Sequence, residues 1–259
     1  MANERTLRDL EYAKVKGILK KFASSPLGRE WVEGLAPSSN PAVIAVRLSR
    51  LGELRCLLEQ GDFTIGTIHD LRPILERARE STSLPAEDFL PALETIRSAR
   101  LLRKRLHSLK GFPRLREIAK GLRTFRELEE NIDRTIDEQG QIKDGASPKL
   151  RELSNRRRIV EERINGTLQR ILQSPQYGNM VQDAVIARRG SRLVIPVKAS
   201  SKHVLDWVVQ DSSDSGQTLY AEPPAVVEEN NELRELEGEI REERLRILNE
   251  LTSRLKGDE

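Results

Sequence analysis

"VIARRGSRLVIPVKASSKHVLDWVVQDSSDSGQTLYAEP", residues 185–223, is the stretch on which the fold turns. It alternates apolar and polar residues and is rich in Val, whereas the sequence on both sides has helical periodicity. Residues 185–187 and Arg192–Lys198 read as strands, the second with Leu193, Ile195 and Val197 on one face. Pro196 cannot donate to a ladder, which predicts an edge strand or a bulge. "RRGS" (188–191) reads as a tight turn, with Gly190 free to take positive φ. "VLDWVV" (204–209) and "TLYAEP" (218–223) supply two more strands, and "DSSDSG" (211–216) a loop. Four short strands make a small sheet with little core of its own.

Charge is segregated within this patch. Residues 181–203 carry Arg188, Arg189, Arg192, Lys198 and Lys202 against Asp183 alone; residues 204–222 carry Asp206, Asp211, Asp214 and Glu222 with no Lys or Arg. Two readings stand. The halves pair across strands, worth about a few tenths of a kcal/mol per exposed pair. Alternatively a basic edge, with Arg188 and Arg189 exposed at a turn tip, meets phosphates, whose oxygens match arginine forks.

Outward from the patch, both flanks carry a narrow apolar stripe on a heavily charged background. Upstream, from Pro148, the stripe is Leu150, Leu153, Val160, Ile164, Leu168 and Ile171, close to a heptad seam interrupted by Arg157. Downstream it is Leu233, Leu236, Ile240, Ile247, Leu251 and Leu255. A helix of about 25 residues is roughly 37 Å long. Such a stripe needs a partner. The economical solution is an antiparallel pair with the β module at its tip; docking against the N-terminal helices is the competing one.

The first 135 or so residues read as successive helices. Leu7, Leu10, Val15, Ile18, Leu19 and Phe22 recur at helical spacing. "SSPLGREWVEGL" starts a short helix at Pro26, and Pro41 opens another with Ile44, Leu48, Leu51, Leu54 and Leu58 on one side. "HDLRPILERA", residues 83–109, "PRLREIAKGL" and "TFRELEENIDRTI" follow, and "DEQGQIKDGASP" (137–148) is a turn-rich break with a small hairpin about Gln139-Gly140.

Composition agrees with long solvent-facing helices: of 259 residues, 33% are charged and 4% aromatic. The net charge of +3 is modest, so its distribution matters more. Residues 97–126 hold eleven Lys or Arg, among them Arg97, Arg100, Arg103, Lys104, Arg105 and Lys110, against Glu117 alone. Such a density attracts polyanions. The bland reading is a face that neutralises the acidic C-terminal helix, but residues 224–256 set only nine Glu against six Lys or Arg. With Phe112 and Phe125 the only aromatics there, backbone contact with a duplex is favoured over base stacking. The single Cys56 excludes an internal disulfide and is expected to be buried and inert. No apolar run is long enough to span a membrane and the N-terminus lacks a signal-peptide core, so a soluble cytoplasmic protein is expected.

The chain holds no GxxxxGK[ST], HExxH, EF-hand or G-x-S-x-G pattern. His69, His107 and His203 are isolated in sequence, and "DSSDSG" lacks calcium-ligand spacing. No catalytic constellation emerges, so no enzyme activity is expected of this chain.

The sequence resembles the MutS-II family, bacterial paralogues of the mismatch-repair protein MutS. The matching stretches are "LEYAKVKGILKKFASSPLGRE", "IHDLRPILERA", "IDEQGQIKDGASPKLRELSNRRR" and "SRLVIPVKASSKHVLDWVVQDSSDSGQTLYAEPPAVVEENNEL". The last is the specific one: the Pro-Val-Lys strand, the Ser-Gly-x-Thr-Leu loop, Glu-Pro and Asn-Asn come in family order. The sequence departs from the usual His-Asp-Gln at Gln210-Asp211-Ser212, and at Gln217.

The resemblance implies a mainly α fold. It has a helical core and lever domain (1–140), an ascending lever helix (141–178), a small four-stranded β clamp (179–223) and a descending lever helix (224–259). It implies phosphate contacts by Arg188, Arg189, Arg192, Lys198, Lys202 and His203, with the basic helices around Arg97–Lys110 as a second surface. The expected partner is branched or double-stranded DNA, such as recombination junctions and displacement loops, in suppression of homologous recombination. The alternative partner is ribosomal RNA, in rescue of stalled ribosomes. The parent is expected to be a homodimer, with ATP and Mg bound in an ATPase domain and an Smr endonuclease domain, both outside these residues. No cofactor, metal or membrane contact is expected of this chain.

Overall fold

The computed structural model describes residues 4–61 and 63–257. The fold is mainly α, with one small antiparallel sheet. Eight helices come first: α1 (Glu4–Asp9), α2 (Tyr12–Phe22), α3 (Pro26–Glu33), α4 (Pro41–Glu59), α5 (Arg72–Glu80), α6 (Phe89–Ser108), α7 (Pro113–Gly121) and α8 (Arg126–Thr135). Then come α9 (Pro148–Gln173), strands β1 (Ala187–Arg189), β2 (Arg192–Lys198), β3 (Val208–Ser212) and β4 (Thr218–Glu222), and α10 (Val227–Gly257). The chain divides into two units: one runs to Ile142 and takes in the chain from Leu248 onward, the other is Lys143–Ile247.

The first unit is built on α5, α6, α8 and the last turns of α10. Ile74, Ala78, Leu84, Phe89, Leu93, Ile96, Leu128 and Ile132 form its core with Leu251 and Leu255. The Leu84 N–H donates to the Thr252 hydroxyl (3.0 Å), tying the chain before α6 to α10. A second small cluster joins Leu57 of α4 to Leu106 of α6 and to Leu115 and Ala119 of α7. Asp137 organises the hairpin after α8: its carboxylate accepts from the N–H groups of Gln139 (2.9 Å) and Gln141 (2.8 Å). Gly140 takes φ +76°, and a Cβ there would lie 3.2 Å from Glu87 Cα.

The apolar stripes on α2 and α4 are largely uncovered: Ile18, Phe22, Leu48, Leu51 and Leu58 are all exposed. α4 turns Leu57 inward and, from the stripe, only Leu54, and Cys56, one residue around the helix, is exposed where it was expected to be buried.

In the second unit, α9 starts where the sequence sets it. Pro148 occupies the first turn, and the Ser147 hydroxyl caps the helix by accepting from the Leu150 N–H (3.0 Å). Leu150, Leu153, Val160, Ile164 and Leu168 are buried, as are Leu233, Leu236, Ile240 and Ile247 of α10. The helices run antiparallel: Ser147 bonds Glu243 (2.7 Å), while Arg156, further along α9, meets Glu232 (3.5 Å), further back on α10. Both partners foreseen for the stripe on α10 are thus real. Its first turns pack in the second unit with α9, and its last turns enter the core of the first.

The sheet order is β1-β2-β4-β3, antiparallel throughout. β2 is central rather than an edge, despite Pro196. The Pro196 carbonyl accepts from the Gln182 N–H (2.9 Å), on the side where β2, beyond its pairing with β1, meets the bridge Val181↔Val197. A residue's N–H and C=O point to the same side of a strand, so no β2–β4 bond is lost to the proline. β1 starts two residues later than read, so Arg188 and Arg189 lie in the strand and not at the turn tip. The turn is Gly190-Ser191, with Gly190 at φ +58° and Arg189 opposite Arg192.

Candidate nucleic-acid interface

The three arginines of the β patch are committed to carboxylates inside the second unit. Arg188 donates to Glu237 of α10 (2.8 Å) and to Glu161 of α9, pinning β1 to both helices. Arg189 pairs with Asp211 of β3 (3.1 Å) and lies 3.4 Å above the Tyr220 ring centre, a cation–π contact. Arg192 holds both oxygens of Glu222 (2.7 and 2.8 Å) and reaches Asn231. The basic and acidic halves therefore pair with each other through Arg189–Asp211 and Arg192–Glu222.

Glu222 is the centre of a buried network that sequence reading missed. It is 0% exposed and also accepts from Gln210 (2.7 Å) and Asn230 (2.8 Å). Asn230, likewise 0% exposed, accepts from the Leu193 N–H (2.9 Å) and donates to the Leu193 carbonyl (3.0 Å). The geometry explains why an amide is needed. β4 pairs with β2 up to Ala221↔Ile195, and two residues beyond Ala221 stands Pro223, which has no N–H. The chain leaves the sheet there, and the Asn230 side chain, one turn into α10, does for Leu193 what a strand would have done. The Glu-Pro and Asn-Asn pairs thus form the joint between sheet and helix.

A second buried acid sits in the helix seam. Glu243 is 2% exposed, between Ile240 and Ile247, and accepts from Arg246 (2.8 Å) and Ser147 (2.7 Å). The Arg246 hydrogen bond, then the Ser147 hydroxyl and nearby positive charge, hold its carboxyl down to about 2, against the opposing effect of burial. The seven-residue gap in the apolar stripe was the signal: a heptad position stood empty, and a glutamate filled it.

What remains free on the β patch is a smaller set. Lys198 is exposed and spends one of its three donors on the Asn179 carbonyl (3.0 Å). Lys202 and His203 follow on the exposed turn after β2 and make no ion pair among the described residues. Of the "DSSDSG" stretch read as a loop, Asp211 and Ser212 belong to β3, and Ser213–Gly216 is the tight turn: the Gly216 N–H donates to the Ser213 carbonyl (2.8 Å), with Gly216 at φ +68°. Among the described residues no three His, Cys, Asp or Glu side chains gather where a metal ion could sit.

The basic run in the first unit is also partly neutralised, by acids of α8. Arg100 grips Glu129 of α8 through two nitrogens (2.6 and 2.9 Å), and Arg97 reaches Asp133 (3.0 Å). The Arg100 hydrogen bond, with its charge and that of Arg97, lowers the Glu129 carboxyl below the usual range. Those acids lie just outside residues 97–126, so counting within the window hid them. Arg103 donates to the Thr124 hydroxyl (3.3 Å), and Arg105 lies 5.0 Å from the Phe63 ring centre. Lys104 and Lys110 are exposed.

No protein-family model matches the chain. Three proteins named endonuclease MutS2 align with nearly all of it. The one from Symbiobacterium thermophilum is 38% identical over 257 residues, 99% of this chain and 32% of its own length. That from Clostridioides difficile is 36% identical over 258 residues, 97% and 32%, and that from Geobacillus sp. strain WCH70 is 38% identical over 254 residues, 96% and 32%. The chain spans about a third of the length of the curated relatives it matches, and over that third it is homologous to this MutS-family paralogue.

Proposed function

We propose that this chain is the lever and clamp region of a MutS-like protein, and that its β patch grips branched or duplex DNA through the phosphate backbone. The observation that carries the reading is the division of labour among the cations. Arg188, Arg189 and Arg192 brace the sheet internally and against its helices, which leaves Lys198 at the end of β2 and Lys202 and His203 on the exposed turn after it. Lysines act on phosphate as point charges and need no forked geometry. The sheet itself is small, so bracing it on two long helices gives a rigid mount. Lys104 and Lys110 offer a second positive surface on the first unit. The action of the whole protein belongs to this proposal too: suppression of homologous recombination, with any strand cleavage performed by parts outside these residues.

The test is a gel shift of the chain on a four-way junction and on a matched duplex at two salt concentrations. Lys198→Ala, Lys202→Ala and His203→Ala together should weaken binding to both probes, more at low salt. Unchanged affinity in the triple variant would remove the clamp assignment.

A further inference from the structure

Beside that turn is a pocket of about 410 Å³, lined by Tyr177, Leu205, Asp206, Trp207, Pro223 and Pro224 among others. Its volume falls in the roughly 300–1,000 Å³ range of small-ligand sites. The chain has two tryptophans and three tyrosines, and one of each stands here, ring centres 5.3 Å apart and tilted by 49°. Because the two rings touch one another, a flat guest stacks on their free faces and does not slide between them. Both are only half-buried. Pro223 and Pro224, where the chain leaves β4, line it as well.

The polar groups around the pocket select the guest. Asp206 lines it, is exposed, and makes no ion pair among the described residues. Lys202 and His203 precede it by one turn of chain, and Lys198 is tied to Asn179, two residues beyond Tyr177. An aromatic wall and one carboxylate, with Lys202 and His203 a few residues back along the chain, fit a nucleobase with its phosphates. A simple cation would meet the lysines; a simple anion would meet Asp206.

We infer that this pocket takes an unpaired nucleobase of DNA, stacked on Trp207 and Tyr177 with Asp206 accepting from its Watson–Crick edge. The inference rests on the proposed DNA grip and sharpens it. A duplex keeps its bases stacked on each other, so only a bulged, flipped or junction base can enter. Guanine fits best, because its ring N–H and amino group present two adjacent donors to two carboxylate oxygens.

The experiment uses the 259-residue chain with Trp31→Phe, so that Trp207 is the only tryptophan. It is titrated with a duplex carrying one bulged guanine and with the fully paired duplex. The expected result is quenching of Trp207 by the bulge alone, and tighter binding of the bulge by roughly five- to a hundredfold, the range of one stacked base. In the parent chain, read by gel shift, Trp207→Phe keeps a ring and should keep the preference. Trp207→Leu keeps apolar bulk and should lose it, with paired-duplex affinity unchanged. Asp206→Asn should narrow the margin of guanine over thymine. Equal binding of bulge and duplex, or a preference surviving in Trp207→Leu, overturns the inference while leaving the backbone grip intact. Loss of binding to both probes in the parent chain overturns both. A bulge bound more tightly in RNA than in DNA would overturn the DNA assignment.

Discussion

Replacing Glu222 by Gln should loosen the whole sheet, although the change is one atom in size. Glu222 is fully buried and takes four contacts: two from one Arg192 nitrogen (2.7 and 2.8 Å), one from Gln210 (2.7 Å) and one from Asn230 (2.8 Å). An amide keeps one acceptor oxygen and turns an N–H₂ toward groups that are themselves donors. Arg192, 17% exposed at its side chain, is left with neutral amide oxygens and no carboxylate to balance its charge. Removing one member of a buried ion pair costs about 3–5 kcal/mol, because the other charge stays buried and uncompensated. Exposed pairs such as Arg158–Glu162 should contribute no more than about 0.5 kcal/mol by comparison. The assay is urea unfolding followed by Trp207 fluorescence in the Trp31→Phe chain, so that the second unit is read on its own. Glu222→Gln should lower its stability by about 3 kcal/mol. The pair Arg192→Leu and Glu222→Leu together should cost far less than the sum of the single changes, since apolar replacements strand no charge. A Glu222→Gln cost below about 0.5 kcal/mol, or strict additivity in the leucine cycle, would refute the argument that this network anchors the sheet.

Asn230→Ala should cost about 1–3 kcal/mol, since it strips Leu193 of both backbone partners on one side, and hydrogen exchange at the Leu193 amide should accelerate. Glu243 gives a pH signature: its folded carboxyl is held at about 2, below the ordinary glutamate value of 4.5. Its contribution, on the order of 2 kcal/mol, is therefore complete above pH 4.5 or so and lost as the pH falls toward 2. Stability profiles of the parent chain and Glu243→Gln should accordingly converge over that acid window. Gly140→Ala should cost roughly 1–3 kcal/mol in thermal unfolding, because it combines positive φ with a contact on Glu87.

The long helices and the existence of the sheet were legible because each rests on a periodicity. Every residue of the stripe from Leu233 to Leu255 is buried, as are the upstream ones from Leu150 to Leu168. Strand ends were less legible: Arg188 and Arg189 look like turn residues, and only the register opposite Leu193 and Arg192 puts them in β1. The stripe on α4 misled for a different reason. An apolar face announces that it can be buried, not that anything described here covers it. The site was the hardest part. A run of arginines is equally a phosphate surface or a set of braces, and what decides is where Glu161, Glu237, Asp211 and Glu222 arrive from distant parts of the chain.

In the proposed grip two clamp lysines, and not the neighbouring arginines, neutralise DNA phosphates. Its most direct test is the salt dependence of duplex affinity at pH 7, before and after Lys198→Ala with Lys202→Ala. Each phosphate contact contributes about 0.9 to the slope of log affinity against log salt, so the double variant should flatten that slope by about 2. A slope unchanged within about 0.3 would contradict the account.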